Sequence, residues 1–304
     1  MISFAFFGTD DFSIGVLEEL KKAGLLPALV VTMPDAPRGR GLETLPSPVS
    51  IWAQKNNVPI SFDYSALTAD YTLFVVASYG KIIPKRILDI PKHGALNVHP
   101  SLLPKYRGPS PVESQILANE KDIGVTIMQM DEKMDHGPIV ASYSAPDVPG
   151  LQTHHNPAPD VDGLQTSGAV LRSTLAREGG KLLAEVIPKW VAGEIHAVPQ
   201  DESKATYTRK FAKKDGEIDL TENPYQNFLK IRAFDGGIGV YLFFQIPSSV
   251  EEGSPTIVGG GGGVQKIRLK ITDASFANGV LTILRVIPEG KKEMSYEEFL
   301  RGQK

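Results

Sequence analysis

The sequence predicts an α/β protein whose N-terminal part forms a doubly wound, Rossmann-like, mainly parallel sheet and whose C-terminal part forms a small β-barrel. Two observations predict this fold class. Apolar segments alternate with amphipathic segments of helical period over the first half of the chain, which is typical of a parallel sheet covered on both faces. From about residue 200, short strand patterns follow one another between Gly and Asn turns. The 304 residues suit two domains, which we place at 1–200 and 205–304.

The elements of the N-terminal domain are predicted from the period of the apolar residues. Strands are expected at 2–7, 27–32, 71–78 and 123–130, and helices at 12–23, 48–56, 109–119 and 169–191. The strand at 71–78 is a near-continuous apolar run, which indicates burial on both faces. Asp10 is expected to cap the first helix and Phe12 to lie in the core. The turn that starts at Gly8 lacks the further glycines of a dinucleotide-binding loop, which argues against such a site.

Two segments of this domain are predicted to be loops. Residues 33–47 are rich in Pro, Gly and Arg and exceed the usual connection length, so we expect a loop that is functional or disordered. The unit Asp147-Val-Pro-Gly-Leu-Gln-Thr153 recurs almost unchanged as Asp160-Val-Asp-Gly-Leu-Gln-Thr166. It has no apolar period, and we interpret residues 151–166 as a duplicated surface insertion without chemistry of its own.

The C-terminal domain is predicted to contain one helix and at least three strands. The helix is expected at 223–233 and the strands at 239–245, 265–274 and 279–287. Five consecutive glycines at 259–263 are typical of a flexible hairpin tip. Short strands with one helix favour a small barrel.

The composition limits the classes of function. The chain has no cysteine, which excludes disulfides and thiolate nucleophiles. Its N-terminal segment lacks the basic region and cleavage site of a signal peptide, and no apolar run approaches the roughly 20 residues needed to cross a bilayer. We therefore expect a cytoplasmic protein. The net charge of −3 neither requires nor excludes a nucleic-acid partner.

An amide and an imidazole lie two residues apart at the end of a short apolar run. These are Asn97 and His99, and Pro100 ends the strand directly after them. Alternate residues of a strand project to the same face, so both side chains are expected to point together. An amide donor beside a titratable base is the minimum set of groups for acyl chemistry at a carbonyl carbon.

A third polar residue, Asp135, follows the strand predicted at 123–130 and lies in a turn marked by Gly137 and Pro138. The carboxyl ends of neighbouring parallel strands meet at one crevice. We therefore expect Asp135 to join Asn97 and His99. The other histidines show no spacing typical of a metal site, and none is predicted.

These motifs resemble a known family. Asn97-x-His99-Pro-Ser-Leu-Leu-Pro104-x-Tyr106-Arg107-Gly108, followed by Asp135-x-Gly137, resembles the formyltransferases that use 10-formyltetrahydrofolate. The trio Asn, His and Asp is the catalytic signature of that family. The resemblance continues over nearly the whole chain, in residues 7–9, 34–49, 78–84 and 288–302.

The resemblance implies a fold, a donor and a donor site. The fold would be the formyltransferase fold with a C-terminal OB-like barrel that binds tRNA. The co-substrate would be 10-formyltetrahydrofolate, with no metal. Its site would be formed by Tyr79, Gly80, Lys81, Ile82, Ile83, Ser101, Leu102, Leu103 and Pro104.

The resemblance also implies an acceptor. This is the α-amino group of methionyl initiator tRNA, so the reaction would serve translation initiation, and we expect a monomer. The tRNA contacts would come from Arg38, Arg40, Lys210 and Lys213. Long-range phosphate attraction makes such basic residues suitable partners of RNA.

The residue types fit formyl transfer. Attack of an amine on the formyl carbon produces an oxyanion, which Asn97 can stabilise by donating a hydrogen bond. His99 can donate when protonated or take the proton of the amine when neutral, and Asp135 can orient the imidazole or a water. Which of His99 and Asp135 is the base stays open.

Three alternatives also remain open. They are transfer of the formyl group to a nucleotide-linked amino sugar, hydrolysis of 10-formyltetrahydrofolate, and an RNA-binding module with an inactive site. An acceptor screen distinguishes the first two, and substitution of Asn97 or His99 tests the third.

Overall fold

A computed structural model describes residues 2–38, 43–145, 166–245 and 266–303 of the chain. The chain divides into two compact units, Met1–Leu151 with Val170–Lys210 and Gln152–Ala169 with Phe211–Lys304. The boundary predicted near residue 200 lies inside the first unit, which continues to Lys210. Residues 151–165 of the expected insertion and the glycine run at 259–263 lie outside the described residues.

The first unit contains a seven-stranded sheet with helices between its strands. The strands of this sheet are β1 (Phe4–Gly8), β2 (Leu29–Val31), β5 (Ile60–Ser61), β6 (Leu73–Ala77), β7 (Ala95–His99), β8 (Gly124–Gln129) and β9 (Ile139–Ser144), and a separate two-stranded sheet is formed by β3 (Ala36–Arg38) and β4 (Glu43–Leu45). The helices are α1 (Asp11–Lys22), α2 (Pro48–Lys55), α3 (Lys85–Leu88), α4 (Pro111–Leu117) and α5 (Gly168–Val191). Each element predicted for this unit is present, with small differences at its ends, whereas β3, β4, β5, β9 and α3 were not predicted.

The strand order in the sheet is β5-β2-β1-β6-β7-β8-β9. The first five strands of this order pair in parallel. β8 pairs antiparallel with β7, and β9 pairs antiparallel with β8. This confirms the mainly parallel, Rossmann-like sheet. Every residue of β1, β6 and β7 is buried, as expected of strands that are covered on both faces of a parallel sheet.

The start of α1 is capped as the sequence predicts. The carboxylate of Asp10 accepts hydrogen bonds from the backbone N–H groups of Phe12 and Ser13, which have no partner within the helix. Phe12 is buried, with 3% of its surface exposed. Both expectations for this turn are confirmed.

The direction of β8 corrects the argument that was used to place Asp135. β8 runs antiparallel to β7, with Asn97 opposite Met128 and His99 opposite Thr126. The end of β8 therefore lies beside the start of β7, away from His99. The expectation that Asp135 follows the carboxyl end of a parallel strand is wrong, and the chain reaches the site through the loop that follows β8.

The long loop expected at 33–47 contains regular structure. Its described part includes β3 and β4, which pair antiparallel with Ala36 opposite Leu45 and Arg38 opposite Glu43. Residues 39–42 lie outside the described residues. The segment predicted as a long loop therefore includes two short paired strands, and this pairing satisfies some of its own backbone N–H and C=O groups.

The second unit contains an antiparallel sheet and two helices. Its elements are α6 (Pro224–Ala233), β10 (Val240–Gln245), β11 (Lys266–Ala277), β12 (Val280–Pro288), β13 (Met294–Ser295) and α7 (Tyr296–Arg301). The strands follow one another in the order β10-β11-β12-β13. The predicted helix and all three predicted strands are present, and the antiparallel arrangement agrees with a C-terminal β domain.

Candidate active site

The structure brings the three predicted catalytic residues together. Asn97 and His99 lie on β7 and are buried, with 9% and 4% of their surfaces exposed. Because alternate residues of a strand project to one face, the amide and the imidazole line the same cavity. Asp135 lines this cavity too, and its Oδ1 lies 3.7 Å from Nδ1 of His99.

The hydrogen bond at Nε2 of His99 defines the tautomer of its imidazole. Nε2 lies 3.0 Å from the backbone carbonyl oxygen of Tyr106. A carbonyl oxygen only accepts, so Nε2 carries a proton and donates it to this hydrogen bond. In neutral His99 the lone pair is therefore on Nδ1, the atom that faces Asp135. Nδ1 is the nitrogen that can take a proton from a substrate.

Asp135 is held by the backbone of the loop that precedes α4. Its Oδ2 accepts a hydrogen bond of 2.7 Å from the backbone N–H of Gly108. The other oxygen, Oδ1, is left facing the imidazole of His99. Asp135 has a φ of 49°, in the left-handed region that residues other than glycine rarely occupy. The hydrogen bond from Gly108 thus holds the carboxylate beside the imidazole.

The cavity beside the trio has a volume of about 410 Å³, which is within the range of small-molecule sites. Its walls combine apolar side chains with groups of both charges. They comprise residues 78–83, 97–100 and 130–135 with Phe12, Val76, Gly108, Pro109, Pro111, Val112 and Arg172. Such a cavity suits a flat, partly apolar molecule that also carries polar groups.

The first half of the predicted folate site lies in the cavity wall. Residues 79–83 all line the cavity. The loop is held against the turn between β1 and α1, because Thr9 Oγ1 donates to the carbonyl of Tyr79 at 2.8 Å and Ser78 Oγ donates to Asp10 Oδ2 at 2.7 Å. Burial raises the pKa of Tyr79 above its ordinary value, so its phenol stays neutral.

The second half of the predicted folate site, Ser101, Leu102, Leu103 and Pro104, is absent from the cavity wall formed by the described residues. Ser101 Oγ donates to the carbonyl of Lys105 at 2.8 Å, and the N–H of Leu103 donates to Thr126 Oγ1 at 3.1 Å. These bonds hold the loop that carries Tyr106, the partner of His99. The contact of this motif with the folate donor stays a prediction.

The described residues leave the predicted tRNA contacts untested. Arg38 ends β3, but the placement of its side chain is not described, and Arg40 lies outside the described residues. Lys210 and Lys213 are exposed, the first in the first unit and the second in the second unit. Their role stays a prediction.

Several residues of the cavity wall were missed by sequence reasoning. Arg172 of α5 lines the cavity and forms an ion pair with Glu113 of α4. Arg172 lies on a helix that was predicted from its apolar period alone. That period indicates packing and does not show which polar side chain reaches the cavity. Residues 131–134 also line the cavity, and their proximity to Asp135 was the available signal.

The described residues contain neither a metal-binding cluster nor a membrane-spanning helix. Within the described ranges, no group of three or more His, Asp or Glu side chains is arranged to hold a metal ion. The helices that the structure describes include none that is both long and apolar enough to cross a membrane.

Gly137 is expected to be essential for the loop that presents Asp135. A Cβ at this position would lie 1.9 Å from the backbone oxygen of Gln129, which cannot move without breaking the pairing at the end of β8. We expect Gly137→Ala to lower the free energy of unfolding by about 1–3 kcal/mol. Urea unfolding measures this. Gly237→Ala is the matched control, since its Cβ would meet nothing closer than 3.6 Å; equal unfolding midpoints for the two variants would contradict the prediction.

Comparison with known sequences identifies similar proteins over the whole chain. The family model described as formyl transferase matches residues 2–155. The chain is 35% identical to a methionyl-tRNA formyltransferase of Thermus thermophilus, over 98% of this chain and 95% of the relative. It is 34% identical to a methionyl-tRNA formyltransferase of a Geobacillus species, over 99% of this chain and 95% of the relative.

Comparison with solved structures shows a shared fold. A methionyl-tRNA formyltransferase from Clostridium thermocellum matches with a TM-score of 0.55 and 14% identity, over 97% of this chain and 100% of that one. An N-formyltransferase from Helicobacter canadensis, in complex with folinic acid and dTDP-3-aminofucose, matches with a TM-score of 0.59 and 16% identity, over 94% and 100% of the two chains.

Proposed function

Because this chain belongs to the methionyl-tRNA formyltransferase family, we propose that it transfers the formyl group of 10-formyltetrahydrofolate to the α-amino group of methionyl initiator tRNA. One structural observation carries the proposal. Asn97, His99 and Asp135 line a single cavity, and His99 Nδ1 faces Asp135 Oδ1 at 3.7 Å. Formyl transfer to an amine needs a donor for the oxyanion and a group that takes the proton of the amine, and the trio supplies both.

Formyl transfer forms a bond between the amine nitrogen and the formyl carbon and breaks the bond from that carbon to N10 of the folate. The nitrogen of the amine attacks the formyl carbon, and the carbonyl oxygen of the formyl group becomes an oxyanion. Asn97 Nδ2 donates a hydrogen bond to this oxyanion. Collapse of the tetrahedral intermediate breaks the bond between the formyl carbon and N10, and N10 gains a proton. The products are the formylated amine and tetrahydrofolate.

His99 is the proposed proton carrier. Its Nε2 is already committed as a donor to Tyr106, so Nδ1 accepts the proton that the attacking amine loses. The imidazolium then forms beside Asp135 Oδ1, which stabilises it, while Oδ2 continues to accept the hydrogen bond from the N–H of Gly108. The same proton is available for the departing N10. Asp135 is thereby assigned the orienting role and His99 the role of base.

The donor is proposed to lie in the cavity beside residues 79–83. This loop combines backbone groups with Ile82 and Ile83, and Phe12 and Val112 also line the cavity. The 10-formyltetrahydrofolate ring system is flat and polar at its edge, so main-chain groups and apolar side chains together can bind it. The acceptor arm of the tRNA is proposed to contact Arg38, Arg40, Lys210 and Lys213 through its phosphates.

Incubation of the purified protein with methionyl initiator tRNA and 10-formyltetrahydrofolate tests the proposal. We expect formyl-methionyl-tRNA and tetrahydrofolate in equal amounts. Parallel reactions replace the tRNA by a nucleotide-linked amino sugar or omit the amine. Formylation of the sugar alone, or release of formate without any amine, would replace the proposed acceptor by one of these alternatives.

A further inference from the structure

A strap of residues 198–208 follows α5 and crosses the loop that carries Asp135 and the loop that follows His99. At one end, Val198 exchanges two backbone hydrogen bonds of 2.8 Å with the first residue of β9. At the other end, the backbone of Arg107 is bonded to Thr206 at 2.9 Å and to Thr208 at 2.7 Å. The strap therefore joins the loop that carries Asp135 to the loop that follows His99.

Gln200 of the strap connects these loops through its side-chain amide. Nε2 donates hydrogen bonds to the backbone oxygen of Asp135 at 2.9 Å and to that of Gly137 at 2.7 Å. Oε1 accepts two hydrogen bonds from the guanidinium of Arg107, at 3.1 and 2.7 Å. Both donor hydrogens and the acceptor oxygen are thus used, and this pattern defines the orientation of the amide.

Arg107 is fully buried, with 0% of its surface exposed. Its two terminal nitrogens also donate to the carboxylate of Glu202 at 3.0 and 2.7 Å, and one of them donates to the hydroxyl of Tyr207 at 3.2 Å. Bidentate pairing with a carboxylate defines the orientation of the planar guanidinium. The guanidinium therefore holds Oε1 of Gln200 and directs Nε2 towards the loop of Asp135.

The backbone of Asp135 needs such support. Its φ of 49° is sparsely populated for residues other than glycine, and such conformations persist only where the surroundings hold them. Gln200 Nε2 binds the carbonyl of Asp135 and that of Gly137 two residues later, so it spans the turn. Movement of this turn would change the separation of Asp135 Oδ1 and His99 Nδ1.

We propose that Gln200 is a positioning residue for formyl transfer, which acts by holding the turn of Asp135 so that its carboxylate stays beside His99. This inference rests on the proposed function. Gln200 does not line the cavity among the described residues, so it acts through Asp135 and not by contact with substrate.

Gln200→Glu is the principal test. The glutamate has the same shape and keeps an acceptor for Arg107, but it presents a carboxylate oxygen in place of the N–H donors to the carbonyls of Asp135 and Gly137. We expect kcat to fall by about 10- to 100-fold, since displacement of a reacting group by about 1 Å can cost a hundredfold in rate. KM for the formyl donor should stay within about twofold. Gln54→Glu is the matched control, an identical change at an exposed position of α2, and it should leave both constants unchanged.

A second variant and a double mutant separate positioning from a structural role. Gln200→Met removes the polar atoms at similar volume and should also lower kcat with little change in KM. In an Asp135→Asn background, Gln200→Glu should cost little further activity, because both changes disable the same group. The thermal midpoint of each variant is measured alongside.

The outcomes are distinguishable. If the unchanged protein formylates its acceptor and Gln200→Glu is as active as Gln54→Glu, the positioning role is wrong while the proposed function stands. A full, additive loss in the Asp135→Asn background, or loss of the fold in both Gln200 variants, would also overturn the role. If the unchanged protein transfers no formyl group in this assay, the proposed function itself fails.

Discussion

Replacement of His99 by alanine is expected to lower kcat for formyl transfer by about 10²–10⁴-fold, the usual contribution of a general base. His99 Nδ1 is the proposed acceptor of the amine proton, because Nε2 already donates to Tyr106 at 3.0 Å. Single-turnover rates with saturating formyl donor and methionyl-tRNA measure the effect on the chemical step. KM for the tRNA should change little, since the imidazole lies at the cavity and not among the predicted tRNA contacts.

His196→Ala is the matched control for this variant, because His196 is exposed and lies outside the cavity wall of the described residues. It should retain the activity of the unchanged protein. His99→Ala with near-normal kcat and a normal thermal midpoint would contradict the role of base. That result would transfer the role of base to Asp135.

Replacement of Asn97 by alanine is expected to lower kcat by about 10²–10³-fold, or roughly 3–4 kcal/mol of transition-state stabilisation. Asn97 is 9% exposed and lines the cavity on the same strand as His99. Its amide can donate to the oxyanion that forms when the amine attacks the formyl carbon. Because this interaction strengthens only in the transition state, kcat should fall while KM for the formyl donor changes little.

Asn97→Asp tests the donor directly. The aspartate has nearly the same shape, but it replaces the N–H donor by a second acceptor that repels an oxyanion. We expect it to be at least as impaired as Asn97→Ala. An Asn97→Asp variant with normal kcat would show that the amide does not donate to the oxyanion, and the stabilising group would then have to be sought in the backbone or in protonated His99.

The strands and helices around the site could be predicted because their signal is local. Each depends on the period of apolar residues within one segment, and the helix bounds follow from caps such as Asp10, whose carboxylate accepts from Phe12 and Ser13 in the structure. The joint projection of Asn97 and His99 likewise needs only the alternation of a strand. Asp135 was found through its motif, although the parallel strand invoked to bring it to the site is antiparallel.

The missed features are those that depend on contacts between distant segments. Gln200 binds Arg107 across 93 residues of chain and binds Asp135 across 65, and nothing in the local sequence of the strap predicts either contact. The same holds for Arg172, which reaches the cavity from α5. Ser101 and Leu103 belong to an informative motif. The motif alone does not show that their hydrogen bonds hold the loop that carries Tyr106.

The sequence by itself determined the class of fold, the amide and imidazole on one face of β7, and the resemblance that identifies formyl transfer as the chemistry. Only the tertiary structure decided which nitrogen of His99 is free, how Asp135 reaches it, and which residues hold Asp135 in place. The physical reason is the range of the interactions involved. Apolar period and strand alternation act between near neighbours in the chain, whereas the tautomer of His99 and the turn of Asp135 depend on hydrogen bonds to Tyr106, Gly108 and Gln200, which folding brings within reach.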